Sequence, residues 1–285
     1  MSTPSTIKEA LSQASSTLID SDSSVLDCEV LLAHTLKKSR SYFRAWPDKT
    51  LSADELRVFK QLVKQRQQGQ PIAYLTGERE FWSRSFIVSP SVLIPRPDTE
   101  VLIDIAQQKF SAEQSFSVLD LGTGSGIIAI TLALEFKHAV ITAIDASSDA
   151  LSIAKKNAQL LGASNIDFIL SDWFEQLADK KFDLIVSNPP YICPTDPHLS
   201  DGDVRFEPSS ALVSEQEGLE DIEKIISGAQ HFLKPNGIIL FEHGFQQGKQ
   251  VENLLRSSGF KPTENFRDIQ GHIRATLGRL HKQQG

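Results

Sequence analysis

A chain of 285 residues, 40% hydrophobic and 23% charged, is long enough for one large or two smaller packed domains. Its formal net charge of −7 argues against a protein held on nucleic acid by phosphate neutralisation, so no stable nucleic-acid binding is expected. No run reaches the ~18 apolar residues of a membrane span, the N-terminus lacks a signal-like apolar region, and Cys28 and Cys193 are only two and far apart; a soluble, cytoplasmic, reduced protein is the expectation.

The first 75 residues read as helical. Thr6-x-x-Glu9 and Ser52-x-x-Glu55 have the form of capping boxes, in which side chain and backbone at a helix start satisfy each other. Ile7, Leu11, Ala14 and Leu18 form one apolar stripe, and Leu56, Phe59, Leu62 and Val63 another. Lys37, Lys38, Arg40, Arg44, Lys60, Lys64 and Arg66 gather basic charge here, either as a solvated helix surface or as a face for an acidic protein or ribosomal RNA. Phe81 to Leu93 reads as extended, a short hairpin bounded by Pro90, and Pro95 to Glu100 starts a helix.

From Ser117 onward strand and helix patterns alternate, with strands near 117–121, 139–144, 166–170, 182–187 and 236–242. That alternation predicts an α/β fold with a doubly wound, parallel sheet. The first strand runs into Asp120-Leu121-Gly122-Thr123-Gly124-Ser125-Gly126 and then a helix. Glycines let backbone approach a ligand at a helix start. The dinucleotide pattern G-x-G-x-x-G needs glycine where Ile127 stands, and no Walker lysine follows, so the loop is neither of these. Asp145 closes the second strand, where a carboxylate can accept from two ribose hydroxyls; its structural alternative is a cap for the helix from Asp149. Asp172 and Trp173 close the third, suited to an adenine amino group and base face, or else a buried Trp beside a helix cap.

The fourth strand ends in Asn188-Pro189-Pro190-Tyr191. Asn188 offers a carbonyl oxygen, neither proline has an N–H to compete for acceptors, and Tyr191 adds a flat ring. Such a site accepts two hydrogen bonds from an NH₂ group and stacks on the plane that carries it, as methylation of a planar amine or amide nitrogen requires. A strand ending in a proline turn is the plainer alternative. The segment Ile192 to Ser210, dense in Pro, Asp and Ser, is too long for an ordinary connection and is expected to help bind substrate. Cys193 reads as packing and His198 as a loop residue; no Cys/His spacing forms a ligand set, so no metal is expected.

Taken together, these motifs resemble the class I S-adenosylmethionine-dependent methyltransferases, and most closely the release-factor glutamine N5-methyltransferases, the PrmC or HemK family. Pro71-Ile72-Ala73-Tyr74-Leu75-Thr76-Gly77, Leu93 to Glu100, and Asp196-Pro197-His198 through Gly202 to Pro208 carry the closer likeness. It spans nearly the whole chain and thins near Gln270-Gly271-His272-Ile273, in the last hairpin. The resemblance implies a mostly parallel seven-stranded sheet with a small all-helical N-terminal domain joined by a short hairpin. The spans are 1–75 for release-factor docking, 76–95 for the linker, and 96–285 for the methyltransferase domain.

It also implies S-adenosylmethionine bound by Gly122, Thr123, Gly124, Ser125, Gly126, Asp145, Asp172, Trp173 and Asn188, with S-adenosylhomocysteine as product. Asn188, Pro189, Pro190 and Tyr191 would hold the substrate, Asn188, Pro189 and Tyr191 acting in transfer to the glutamine of a release factor's Gly-Gly-Gln loop. A ribosomal-protein glutamine or a nucleic-acid amino group remains an alternative acceptor, because adenine presents the same planar NH₂. A ribosome-associated module that binds S-adenosylmethionine without turnover is the non-enzymatic one.

Overall fold

The computed structural model describes residues 5–18 and 21–281; residues 1–4, 19–20 and 282–285 of the expected domain spans lie outside the described residues. The chain divides into two compact units, one of residues 1–78 with 201–206, the other of residues 79–200 with 207–285.

The first unit holds helices α1 (Ile7–Thr17), α2 (Ser24–Leu36), α3 (Arg40–Ala45), α4 (Ala53–Gln67) and α5 (Ile72–Thr76). Both capping boxes form: the Thr6 and Ser52 hydroxyls accept from Glu9 and Glu55 backbone N–H, and those glutamates reach back. Ile7, Ala14, Leu18, Leu56, Phe59 and Val63 are buried in one cluster with Cys28, Leu31 and Leu32, and Leu11 and Leu62 pack against it. Burial also pushes the Cys28 thiol up to about 11, so this cysteine is inert packing. Lys37, Lys38, Arg40, Arg44, Lys60 and Lys64 are exposed. Arg66 departs from the basic face expected of it: its guanidinium is spent within the unit on Asp27 and Asp203, at 2.8 Å each.

In the second unit, strand β1 (Glu78–Phe81, its first residue still in the helical unit) and β2 (Arg84–Ile87) form the hairpin. Phe81 and Phe86, edge-to-face at 6.2 Å, pin it to the core. A 3₁₀ turn at Pro97–Thr99 leads into α6 (Glu100–Lys109), where proline's fixed φ suits a first turn. Then follow β3 (Ser117–Leu121), α7 (Ile127–Glu135), β4 (Val140–Asp145), α8 (Ser148–Leu161), β5 (Ile166–Leu170) and β6 (Phe182–Ser187). After the long loop come one short turn, α9 (Glu215–Gly218), then α10 (Glu220–Phe232), β7 (Leu233–Glu242), α11 (Gly248–Ser257), β8 (Phe260–Arg267) and β9 (Ile273–Leu280).

The strands order as β5-β4-β3-β6-β7-β9-β8, parallel except that β9 runs antiparallel to both its neighbours. Both faces of the central strands are buried, as a parallel sheet requires. On β3, Val118 belongs to the cluster under α6 and α7, while Leu119 and Leu121 belong to the one under α10 and α11. Strand order reverses between β3 and β6, which opens a crevice at their carboxyl ends. No helix among the described residues is long and apolar enough to cross a membrane.

Candidate active site

The glycine loop is held from beneath. The two-residue period that buries Val118 also turns Asp120 toward α7, where Asp120 Oδ2 accepts the Thr123 hydroxyl at 2.6 Å and the Ala129 N–H at 3.2 Å. Asp120 is 0% exposed, and burial pushes its carboxyl up to about 7. It therefore caps α7 and shapes the loop rather than facing the crevice. Gly126, at φ +86, begins α7; a Cβ there would lie 2.6 Å from Ile130 Cδ1 and 3.1 Å from Ala154 Cβ. Only glycine lets this helix start pack so closely.

Above the loop lies a cavity of about 410 Å³, all of whose lining residues belong to the second unit. Gly122, Thr123, Gly124, Ser125, Asp145, Asp172, Trp173, Asn188 and Pro190 line it; Gly126, Pro189 and Tyr191 are not among the lining residues. Asp145 Oδ2 accepts from Gly124 N and Oδ1 from Ser147 N, both at 2.8 Å, which clamps the loop to the end of β4. Each oxygen keeps a second lone pair for a ligand hydroxyl. The cap of α8 is Ser147, whose hydroxyl accepts from Ala150 N, so Asp145 is freed from that role. Desolvation raises the Asp145 pKa. Trp173 takes φ +43, uncommon for a bulky residue, and its ring stands in contact range above Gly122.

Asn188 follows β6, where Val186 faces the α6 side, and its Nδ2 donates to Thr99 Oγ1 at 3.2 Å. The Tyr191 hydroxyl donates to Glu242 Oε1 at 3.1 Å, and its backbone carbonyl accepts from Gln247 Nε2 at 3.1 Å. Gly218, at φ +82, passes so close that a Cβ would sit 2.1 Å from that carbonyl. The loop after Tyr191 closes on itself, with Ile192 N–H donating to Leu212 O and Ser214 N–H to Ile192 O. Cys193 is half-buried beside the Thr195 hydroxyl, and His198 is exposed on Asp196. Among the described residues no group of His, Cys, Asp and Glu could hold a metal ion.

The stretch Leu93 to Glu100 does more than start a helix. Arg96 pairs with buried Glu207, whose other oxygen accepts from Ile94 N at 2.9 Å. Asp98 pairs with Arg274 at 3.2 Å, Thr99 receives Asn188, and Glu100 accepts from Trp82 N at 2.8 Å. Each polar side chain ties a different segment to the same spot. Thr99, Arg96 and Asp221 line the cavity and Glu242 lies behind it, and none of them is among the site residues that the motifs predict. Glu242 had a signal only in register: Ser187 pairs with Phe241, which sets Glu242 beside Asn188.

A family model described as a methyltransferase domain matches residues 112–275, and one described as the PrmC N-terminal domain matches residues 9–77. A release factor glutamine methyltransferase of Vibrio cholerae is 50% identical over 276 residues, 96% of each chain. Its counterpart in Escherichia coli is 44% identical over 276 residues, 97% of this chain and 98% of that one. A solved methyltransferase from Pyrococcus furiosus shares the fold at TM-score 0.53 and 14% identity, over 71% of this chain and 91% of the other. A Thermus thermophilus 16S rRNA N2 G1207 methyltransferase, solved with AdoMet and guanosine, does so at TM-score 0.54 and 16% identity, over 72% and 50%.

Proposed function

Because this chain belongs to the release factor glutamine methyltransferase family, we propose that it methylates the side-chain amide nitrogen of the glutamine in the Gly-Gly-Gln loop of peptide chain release factors, with S-adenosylmethionine as donor and no metal. The observation that carries this reading is the placing of Asn188 on the same cavity as the glycine loop and Asp145, with its amide nitrogen spent on Thr99 and its oxygen left as acceptor. The cavity volume lies in the ~300–1,000 Å³ range of small-ligand sites.

The donor set suits S-adenosylmethionine. Asp145 retains lone pairs for ribose hydroxyls, Asp172 stands exposed at the cavity for an adenine amino group, and Trp173 walls the base. Thr123 to Gly126 lie at the N-terminus of α7, which favours an anionic group. When bound, the cofactor supplies a sulfonium methyl that is already strongly electrophilic.

The protein's part is geometry. A glutamine amide shares its nitrogen lone pair with its carbonyl, so it is a poor nucleophile. Asn188 Oδ1 and the Pro189 carbonyl accept the two N–H bonds and hold the nitrogen more firmly as it gains positive charge. Tyr191, braced at both its hydroxyl and its carbonyl, sets the plane beside which the amide lies. Fixing reacting atoms about 3–3.5 Å apart supplies on the order of 7–11 kcal/mol. A methylated, cationic amide is strongly acidic and releases its proton without a dedicated base. The helical unit docks the body of the release factor.

The test combines labelled S-adenosylmethionine, purified release factor, a variant of it with the loop glutamine replaced by asparagine, and total DNA, with mass spectrometry to locate the methyl group. One methyl on the loop glutamine is expected. It should be absent from the substituted factor and lost on the order of 10²–10³-fold with Asn188→Ala. Label in DNA or a ribosomal protein instead moves the acceptor to that class. Binding without transfer to anything would make the chain a cofactor-binding module.

A further inference from the structure

A primary amide can present its oxygen or its nitrogen, and a nitrogen turned to the substrate would set donor against donor. What fixes the Asn188 amide is the chain of groups behind it. Asn188 Nδ2 donates to Thr99 Oγ1 at 3.2 Å, so the Thr99 hydroxyl must send its own proton elsewhere. Thr99 is 0% exposed, which removes bulk solvent as the acceptor. The Thr99 hydroxyl lies close enough to the Glu242 carboxylate to favour its charged form. Glu242, 1% exposed, takes the Tyr191 hydroxyl on Oε1, while Oε2 is sealed from solvent with no hydrogen-bond partner among the described residues. A buried carboxylate oxygen left unfilled is costly, so an unfilled acceptor and a hydroxyl proton in want of one meet in the same network.

We propose that Glu242 is a positioning residue for methyl transfer: as an acceptor-only sink for the protons of Thr99 and Tyr191, it sets which face of the Asn188 amide meets the substrate and how the Tyr191 ring is held. The polarity runs from Asn188 through Thr99 into Glu242, and from Tyr191 into Glu242 from the other side. The consequence for catalysis rests on the methyl-acceptor reading above; the network itself is a property of this chain.

Burial pushes Glu242 up to about 7, against the Thr99 and Tyr191 hydroxyls and Arg274, with Asp98 pushing it further. The groups that face it are therefore Asp98 before α6, Tyr191 after β6 and Arg274 on β9, itself paired to Asp98 and Asp268. The adjoining His243 is kept neutral by burial, down to about 4. A protonated Glu242 carries a donor of its own, can turn the Thr99 hydroxyl round, and removes the reason for Asn188 to present oxygen. Activity should rise as pH climbs through about 7.

The full chain is compared with Glu242→Gln, Thr99→Val and Thr99→Ser. Measured are kcat for release factor between about pH 6 and 8.5, S-adenosylmethionine affinity by calorimetry, and the ¹⁵N side-chain amide signal of Asn188, assigned through its loss in Asn188→Asp. Glu242→Gln and Thr99→Val should each lower kcat at pH 8 by about 10- to 100-fold, with cofactor affinity within about twofold of wild type. Thr99→Ser should recover most of the Thr99→Val loss. The acid limb of kcat and the matching pH shift of the Asn188 signal should vanish in Glu242→Gln. A Glu242→Gln enzyme with undiminished kcat and an intact acid limb overturns the proposal, and so does an Asn188 signal indifferent to pH in the wild type. Should Glu242→Gln fail to fold, the Thr99 pair and the wild-type titration decide. A wild type that leaves release factor unmethylated while its Asn188 signal titrates sinks the acceptor reading and leaves the network standing.

Discussion

At the level of single residues, the buried carboxylates give the fold an unusual dependence on pH. Asp120 moves from 3.8 to about 7 because burial penalises its charge. A carboxyl raised in the folded state holds a proton that the unfolded chain has released. Its stabilising contribution is therefore full below the unfolded pKa and is lost as pH rises through the folded one. Glu242 acts in the same sense. His243, lowered to about 4, works the other way but only below its ordinary value of 6.5. Asp183 and Asp268 are lowered and act in more acid solution. Between pH 6.5 and 8.5 the two carboxyls raised to about 7, Asp120 and Glu242, prevail, each removing roughly 1 kcal/mol of stability. Thermal unfolding should show the melting temperature falling over that window by several degrees. Asp120→Asn should flatten the fall, and an unchanged slope would mean that Asp120 is ionised throughout.

Elements rather than single groups explain why the cavity holds its shape. Asn157 on α8 is one such tie, accepting from Ile87 N at 2.7 Å and donating to Ile87 O at 3.0 Å and Ser125 O at 2.8 Å. One side chain thus fastens the hairpin and the glycine loop to the same helix. Asn157→Leu, similar in shape but without polar atoms, strands those backbone groups. It should cost about 3 kcal/mol in chemical denaturation and weaken S-adenosylmethionine binding, read from Trp173 fluorescence. Retained affinity would show that the loop needs no such tie. The apolar strands β3, β4, β6 and β7 were legible in the sequence because burial on both faces writes a continuous apolar run, and edge strand β5 because Ile166, Phe168 and Ile169 are half-buried. β8 was not: Phe-Lys-Pro-Thr-Glu-Asn-Phe-Arg lies at the sheet edge, mostly exposed, and carries no such signature. Its turn to β9 forms where the family likeness thins, with Asp268 accepting from Gln270 and His272 N–H at 2.9 Å. Strand-end residues of the cavity could be read because position along a strand decides them. Thr99 and Glu242 could not, since their place depends on contacts between segments 89 and 51 residues apart.

For the whole molecule the least legible fact was the division of the chain. The loop from Ile192 to Ser210 reads as one polar excursion, yet residues 201–206 count with the helical unit. The reason lies in Arg66, which the sequence shows only as one basic residue among several. Its partner Asp27 is held further by the Ser21 and Ser23 hydroxyls at 3.0 and 2.9 Å. Arg66→Met would leave Asp27 buried without its counter-charge and should cost about 3 kcal/mol in urea denaturation. Asp203→Asn, at a half-exposed carboxylate, should cost under about 1 kcal/mol. Equal losses would mean that the Asp203 pair, not burial of Asp27, sets the energy.

That division also bears on how such a protein can be recombined. A unit made of two separated stretches is not a module that can be cut at one point and passed on. A chimera that takes residues 1–78 from one relative and the remainder from another would join an Arg66 from one lineage to a 201–206 segment shaped by a different one. Inheritance of the helical unit is thus tied to six residues encoded more than 120 codons downstream, and grafting it intact requires two crossovers more than a simple head exchange.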